Sequence, residues 1–197
     1  MMNGANPFEK GKEYENLGRA YHCTLVGADF ERASLAGYDL RRANFTNANF
    51  RGADLSHIDL RGATLIKCDF SRANLHGADL SGADLSGSDL SMSYGKAALM
   101  VGARVWRCAF RQAIWKNAFF IDTDLSGSDF VGAQLMGARF NGANLSHVRN
   151  LDRAIFYWWL NPHGGPPSYD PRPGWNKLDS SILGGISIQE NASMNRR

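Results

Sequence analysis

The 197-residue chain has little of what marks a secreted, membrane-spanning or disulfide-stabilised protein. It contains three cysteines, too few for a disulfide framework, and its polar N-terminus is followed by no long apolar run. Neither a signal peptide nor a membrane span is therefore predicted. We expect a protein of the cytoplasm, or part of an assembly formed there, with its thiols reduced.

The sequence also lacks the patterns that carry common enzymatic chemistry. No phosphate-binding loop, nucleophile elbow or dinucleotide fingerprint occurs, and the five histidines are scattered without metal-ligand spacing. We therefore predict no catalytic residue, no cofactor and no metal site. On this basis the protein is predicted not to be an enzyme.

What the chain has instead is a strict period of five from Leu25 to Leu145. Of the twenty-five positions at multiples of five, thirteen are Leu and eight are Phe, and a small residue, most often Ala, stands two residues before nearly every one. Representative units are Ala28-Asp29-Phe30 and Ala53-Asp54-Leu55. This period fits neither an amphipathic helix nor a flat strand, so the tandem repeat must determine the fold.

The tandem pattern A-(D/N)-(L/F)-x-x resembles the pentapeptide-repeat family over about 120 of the 197 residues. The resemblance implies an all-β fold, a right-handed quadrilateral parallel β-helix with one repeat on each side and four in each coil. It also implies that the Leu or Phe and the small residue before it point inward, while the other three face solvent. Because Cys23, Cys68 and Cys108 occupy the small position, they are predicted to fill the core.

Four repeats per coil predict that residues twenty apart lie above one another. One side of the core then holds a ladder of aromatic rings, interrupted by Leu90, from Phe30, Phe50, Phe70, Phe110 and Phe130. Gly95 contributes no core side chain, and Trp115 follows one coil later on the same side. We predict that the indole fills the space left by the glycine, because protein interiors do not tolerate a large void.

The limits of the repeat predict four segments. Residues 1–22 are expected to cap the N-terminal end, residues 23–149 to form about six coils, and residues 161–197, rich in Gly and Pro near their start, to form an extended arm. After Leu145 the phase slips by one residue. A short capping helix is predicted over residues 150–160, with Asn150 or Asp152 as its N-cap and with its apolar residues packed on the last coil, namely Ile155, Phe156, Trp159 and Leu160.

The outward positions change character between Ser91 and Ile121. This stretch has five basic residues and no acidic one, although Leu25 to Leu145 as a whole is close to neutral, with thirteen Lys or Arg and twelve Asp or Glu. Apolar residues gather here on adjacent sides, which is typical of an interface. The predicted partner-binding residues are Tyr94, Leu99, Val101, Trp106, Ile114, Phe119 and Ile121, the basic Lys96, Arg107, Arg111 and Lys116, and, on the capping helix, Tyr157 and Trp158.

Several occupants of this surface remain open. The main hypothesis is a rigid, non-catalytic interaction protein that binds a protein partner, a second copy of itself or a larger assembly, although the chain's own tail could also cover the surface. The family resemblance offers DNA gyrase as an alternative, because some members imitate duplex DNA, but this near-neutral repeat departs from an acidic rod. A further alternative is direct nucleic-acid binding by the basic residues near Trp106.

Overall fold

A computed structural model describes residues 22–155, and these wind into a right-handed parallel β-helix with four sides to each coil. The sides are joined by parallel bridges between residues twenty apart, such as Thr24 with Asn44 and Asn44 with Thr64. Each side contributes a single bridge residue to this ladder. The only helix within the described residues is a 3₁₀ helix, Leu151–Arg153. The predicted quadrilateral β-helix is thus confirmed, whereas the predicted N-terminal cap lies almost wholly outside the described residues.

The sides are numbered here by the core residues of the first coil. Side 1 begins with Leu25, side 2 with Phe30, side 3 with Leu35 and side 4 with Leu40, all of them buried. Coil 1 therefore starts at Leu25, and each later coil starts twenty residues on, so that coil 4 starts at residue 85 and coil 6 at residue 125. A corner is named by the two sides it joins, with corner 4-1 leading into the next coil.

A tight turn at every corner explains why the repeat needs five residues. After each core residue the chain turns through two exposed or partly exposed positions, and the second has positive φ, as at Gly27 (68°) and Arg32 (57°). The next N–H then donates back to the core carbonyl, for example from Ala33 to Phe30 at 2.9 Å. A positive φ at the third residue of such a hydrogen-bonded turn is the type II arrangement, in which glycine is favoured.

The Asp or Asn that precedes many of the core residues has a defined structural role. Within residues 49–53, four of the five backbone N–H groups donate to backbone carbonyl oxygens. The fifth, that of Arg51, donates to Oδ1 of Asn49 at 3.0 Å. The same contact recurs at other corners, as from the N–H of Ser81 to Asp79 at 3.0 Å. The acidic or amide side chain therefore supplies an acceptor for the one corner N–H that the coil ladder leaves over.

Aromatic ladders fill much of the core. Consecutive rings on side 2 are nearly parallel, with centroids 5.0 Å apart for Phe30 and Phe50 and 4.7 Å apart for Phe110 and Phe130. A second ladder on side 4 pairs Phe120 with Phe140 at 5.0 Å. These offset-stacked contacts are favourable beyond simple burial. The predicted phenylalanine ladder is confirmed.

Trp115 fills the space beside Gly95, as predicted. Its side chain is fully buried, and a Cβ built on Gly95 would overlap the indole ring. The indole N–H donates to Oγ of Ser93 at 2.9 Å, and this hydroxyl donates in turn to the carbonyl of Leu90 at 2.6 Å. The large ring is therefore accommodated without leaving a buried polar atom unpaired.

Hydroxyl groups at two small inward positions complete neighbouring turns. Oγ of Ser88 accepts from the N–H of Cys68 at 2.9 Å and donates to the carbonyl of Leu65 at 2.7 Å. Ser128 does the same two coils above, where it joins the N–H of Cys108 to the carbonyl of Val105. These serines therefore satisfy both ends of a turn in the preceding coil.

The C-terminal end differs from the prediction of a helix over residues 150–160. The helix ends at Arg153, and Ile155 bridges Gln134 and is 42% exposed, so it is not packed as a core plug. Gln134 and Ile155 are 21 residues apart instead of 20, because the short helix contains the one extra residue. The predicted plug residues beyond Ile155 lie outside the described residues.

Asn150 stands at the N-cap of this short helix, as predicted, but its side chain does not cap it. Asn150 makes no side-chain capping bond and instead donates through Nδ2 to Asp129 at 2.8 Å. Burial raises the pKa of Asp129, but hydrogen bonds from Asn150 and Arg111 outweigh it and hold that pKa below its usual value. The side chain of Asp129, in the preceding coil, therefore holds Asn150 at the point where the repeat shifts by one residue.

The Gly95 and Trp115 pair gives a test of the core. Gly95→Leu should overpack the indole, and Trp115→Leu should leave a cavity, each lowering the free energy of unfolding by about 3 kcal/mol. The double variant has leucine at both positions, and its free energy of unfolding should lie within about 1 kcal/mol of that of the wild type. Urea unfolding of the four proteins measures this coupling, and additive losses would contradict it.

Candidate interaction surface

The exposed column on side 4 changes chemistry abruptly at coil 4. In coils 1 to 3 the bridge positions hold Asp39, Asp59 and Asp79, whereas the next two coils hold Leu99 and Phe119 on the same ladder. In the first three coils this side is a chain of ion pairs. Arg61, for example, forms two short hydrogen bonds to Asp59, which hold the pKa of that carboxyl below its usual value. The apolar residues thus interrupt a fully polar column.

Side 3 changes at the same height. Its bridge positions hold Asp54 and Asn74 in the second and third coils and then Tyr94 and Ile114 in the fourth and fifth. Two residues beyond the bridge positions of side 4, Val101 and Ile121 lie at corner 4-1. We call these six residues the apolar band: Tyr94, Leu99, Val101, Ile114, Phe119 and Ile121.

All six residues of the band reach solvent. Tyr94 and Val101 are each 38% exposed, and the other four are partly buried. The band covers two stacked coils, which lie about 4.8 Å apart, and it wraps around corner 3-4 of the column. Exposed apolar residues that gather on adjacent sides in this way are typical of an interface.

The band, like the corners at Trp106 and Arg111, lacks the corner acceptors that Asp and Asn provide at other corners. Below it, the N–H of Ser56 donates to Asp54 at 3.1 Å and that of His76 to Asn74 at 3.1 Å. Tyr94, Leu99 and Phe119 have no carboxylate or amide to offer the N–H two residues on. Within residues 22–155, the corner N–H groups of Lys96, Val101 and Ile121 accordingly have no such side-chain acceptor.

Two lysines run through the middle of the band. Lys96 and Lys116 lie one above the other at corner 3-4, between the two apolar sides. The turn residues of this corner include no acid in any of the six coils. Above the band, the guanidinium of Arg139 lies 5.1 Å from the ring centre of Phe119, a cation–π contact. Positive charge therefore lies along the ridge of the band and at its upper end, while Asp79 bridges Leu99 at its lower end.

The structure does not bring all the predicted contact residues together. Trp106 and Arg107 occupy corner 1-2, diagonally opposite corner 3-4, where the guanidinium lies 4.1 Å from the centre of the indole. Arg111 lies at corner 2-3 and forms an ion pair with Asp129 at 2.9 Å. These three do not belong to the apolar band, while Tyr157 and Trp158 lie outside the described residues. The sequence placed them together because it showed only their nearness along the chain.

Sequence reasoning missed a histidine column that leads up to the band. The rings of His57 and His76 are 5.0 Å apart, and the ring of His76 is 6.0 Å from that of Tyr94. Nδ1 of His76 is 3.0 Å from the carbonyl oxygen of Lys96. The two histidines occupy the turn positions of the same corner one coil apart, a signal that the twenty-residue period could have provided.

The two inner cysteines are chemically protected. Burial raises the pKa of the Cys68 and Cys108 thiols to about 12, and each sulfur lies 3.0 Å from a core carbonyl oxygen. Cys23, at the edge of the described coils, is only partly buried. Their predicted inward placement is confirmed for Cys68 and Cys108.

Residues 22–155 contain no group of three or more His, Cys, Asp or Glu side chains placed to hold a metal ion. One concavity is an open groove on side 1 and corner 4-1, where Gly82 and Gly102 lie beside Asp84 and Asp124. No helix among these residues is long and apolar enough to cross a membrane.

This column of square coils with a filled core defines a class of solenoid repeat proteins. The family model described as pentapeptide repeats (8 copies) matches the chain over residues 23–62, 53–91 and 107–142. The chain therefore belongs to the pentapeptide-repeat family.

Several solved structures are similar. QnrB1, a plasmid-mediated fluoroquinolone resistance protein, is 25% identical with a TM-score of 0.47, over 71% of this chain and 82% of its own. A pentapeptide repeat protein from the cyanobacterium Cyanothece 51142 is 23% identical with a TM-score of 0.41, over 73% and 94%. No curated protein sequence matches the chain significantly.

Thiol reactivity tests the placement of the cysteines. At pH 8 a thiol-specific reagent such as DTNB should label at most Cys23 in the native protein and all three cysteines after denaturation, because a thiol with a pKa of about 12 forms almost no thiolate. Since both pKa values are raised in the folded state, stability should be full below the ordinary thiol pKa and fall as the pH rises from about 9 towards 12. Rapid native labelling of two or more thiols would contradict this placement.

Proposed function

We propose that this protein is a non-catalytic interaction protein of the cytoplasm, a rigid column that docks through its apolar band onto a protein partner, a second copy of itself or a larger assembly. The observation that supports this most directly is the joint change of two adjacent columns, from polar to apolar, over the same two coils. The core is packed with side chains, so the surface is the place where the column meets other molecules.

The cost of the band to the fold also favours a functional role. Leu99 and Phe119 stand where other repeats have Asp or Asn, so their corners lack a side-chain hydrogen bond. Such a bond typically contributes about 1 kcal/mol. These two residues also expose apolar surface to water, and burying that surface against a partner would contribute roughly 25 cal/mol per Å². Both terms run against the stability of the isolated column, and binding to a partner would recover them.

The charge distribution disfavours both alternatives, DNA mimicry toward gyrase and direct binding of nucleic acid. A protein that imitates duplex DNA needs a dense row of unpaired carboxylates, whereas Asp39 and Asp59 are neutralised by bidentate contacts from Arg41 and Arg61. Nucleic-acid binding needs a continuous basic track with exposed aromatics. Lys96, Arg107 and Arg111 instead lie at three different corners.

The repeat pattern itself provides variants that remove the band without harming the fold. Leu99→Asn with Phe119→Asn restores the usual residue before each core position, so the corner N–H groups of Val101 and Ile121 regain an acceptor. We expect the melting temperature to stay the same or rise, while binding to the partner falls by at least about tenfold. The matched control, Arg104→Asn, makes the same change on side 1 and should leave binding intact.

Binding is measured with a photo-reactive residue in place of Phe119. It should cross-link a defined protein, identified by mass spectrometry, or a second copy of the chain, and the same group in place of Trp106 should not. The purified pair is then compared by light scattering with the asparagine variants. Equal cross-linking at both positions, or a complex that survives the double substitution, would refute the role of the band.

A supercoiling assay separates this proposal from the gyrase alternative. Because the described column is close to neutral, adding the protein in molar excess should leave the activity of DNA gyrase unchanged, with or without a fluoroquinolone. Inhibition or protection that disappears when surface carboxylates such as Asp89 are replaced by asparagine would favour DNA mimicry instead.

A further inference from the structure

The proposed docking role leaves the chemistry of the partner open, and the surface itself restricts it. Resting on that proposed function, we infer that the segment bound by the apolar band is acidic: its apolar side chains cover the two sides, and its carboxylates lie along corner 3-4. The partner is thus a different protein that presents Asp or Glu beside apolar residues.

The arrangement of charge is the first support for this inference. The ridge between the two apolar sides carries Lys96 and Lys116, and Arg139 lies over the upper end of the band. No acid occurs among the turn residues of this corner, whereas corner 4-1 pairs Arg41 and Arg61 with aspartates of side 4. Charge complementarity of this kind determines which partners are accepted at an interface.

The corner N–H groups are a second and independent support. At the corners of Arg51, Ser56 and Ser81, an Asp or Asn oxygen accepts the leftover N–H. At Lys96, Val101 and Ile121 no side chain of residues 22–155 takes that place. A carboxylate from outside can therefore occupy a position for which the fold normally supplies its own oxygen. Such a contact would be a charge-assisted hydrogen bond reinforced by the neighbouring lysine.

The same features disfavour two other occupants. Docking the band against the band of a second copy would bring the lysine ridges of both copies together, and like charges at an interface cost binding energy. A nucleic acid would satisfy the lysines but would place phosphates beside Leu99 and Phe119, whose apolar side chains give it nothing to pair with. An acidic protein segment with apolar residues matches both parts of the surface.

Model peptides test this inference on the full-length protein. A fluorescein-labelled peptide in which Glu and Val alternate should bind, as measured by fluorescence anisotropy. A Lys and Val peptide and a Glu and Ser peptide should each bind at least about tenfold more weakly. A labelled single-stranded oligonucleotide should compete poorly. Preference for the oligonucleotide, or for the Lys and Val peptide, would overturn the inference.

Charge reversal assigns the contact to the ridge. Lys96→Glu with Lys116→Glu should weaken the Glu and Val peptide by about tenfold or more and strengthen the Lys and Val peptide. The control Arg107→Glu reverses a charge at corner 1-2 and should change neither. Unchanged binding in the lysine double variant would overturn the inference.

The same variants separate this inference from the docking role itself. If Leu99→Asn with Phe119→Asn abolishes cross-linking of the natural partner while the lysine reversal leaves it intact, the band docks a partner but that partner is not acidic. If neither pair affects cross-linking, the docking role fails as well.

The chain's own tail is the remaining competitor for the band. Its apolar run from Ile182 to Ile188 has Asp179 before it and Glu190 after it. If the wild type ignores the Glu and Val peptide but full-length protein with Ile182→Ser and Ile186→Ser binds it, the tail is the occupant and the inferred partner is wrong. Equal binding by both proteins supports a separate partner.

Discussion

One backbone N–H group in each repeat, that of the residue just after the core residue, constrains the rest of this structure. In the repeat of residues 49–53, four of the five N–H groups donate to carbonyl oxygens of the stacked coils, and the fifth, just after the core residue, does not. Where Asp or Asn precedes the core residue, as at Asn49, its side chain accepts that N–H and the surface is self-contained. Where Leu99 and Phe119 stand instead, the group is left for water or for another molecule. The residue before the core residue therefore decides whether this N–H has an acceptor within the column.

Most of the fold could be predicted from the sequence because the core is determined by spacing alone. Once residues twenty apart lie above one another, the stacking of Phe30 on Phe50 follows, and so does the placement of Trp115 beside Gly95. The short helix Leu151–Arg153 could not be predicted in the same way. It follows Asn150, whose side chain donates to Asp129 in the preceding coil, a contact that no local capping rule contains.

The candidate surface was predicted only in part, and for a related reason. A run of basic and apolar residues along the chain passes through every side of the column in turn, so nearness in sequence does not imply a shared surface. Applying the four-sided period to the outward residues places Tyr94 near Leu99 but sends Trp106 to the opposite corner. The missing corner acceptors needed the hydrogen-bond pattern itself, because the sequence does not show which backbone groups the coils leave over.

The four-sided register also limits how the length of such a chain can change over evolutionary time. Loss of one repeat between His76 and Tyr94 would leave every later core residue pointing inward, and the column would remain packed. All outward residues beyond the deletion, however, would turn by a quarter relative to those before it, so that the lysines above would no longer continue the histidine column below. Loss of a whole coil shortens the column and preserves every alignment. Changes in steps of twenty residues therefore conserve surfaces, whereas steps of five conserve only the core.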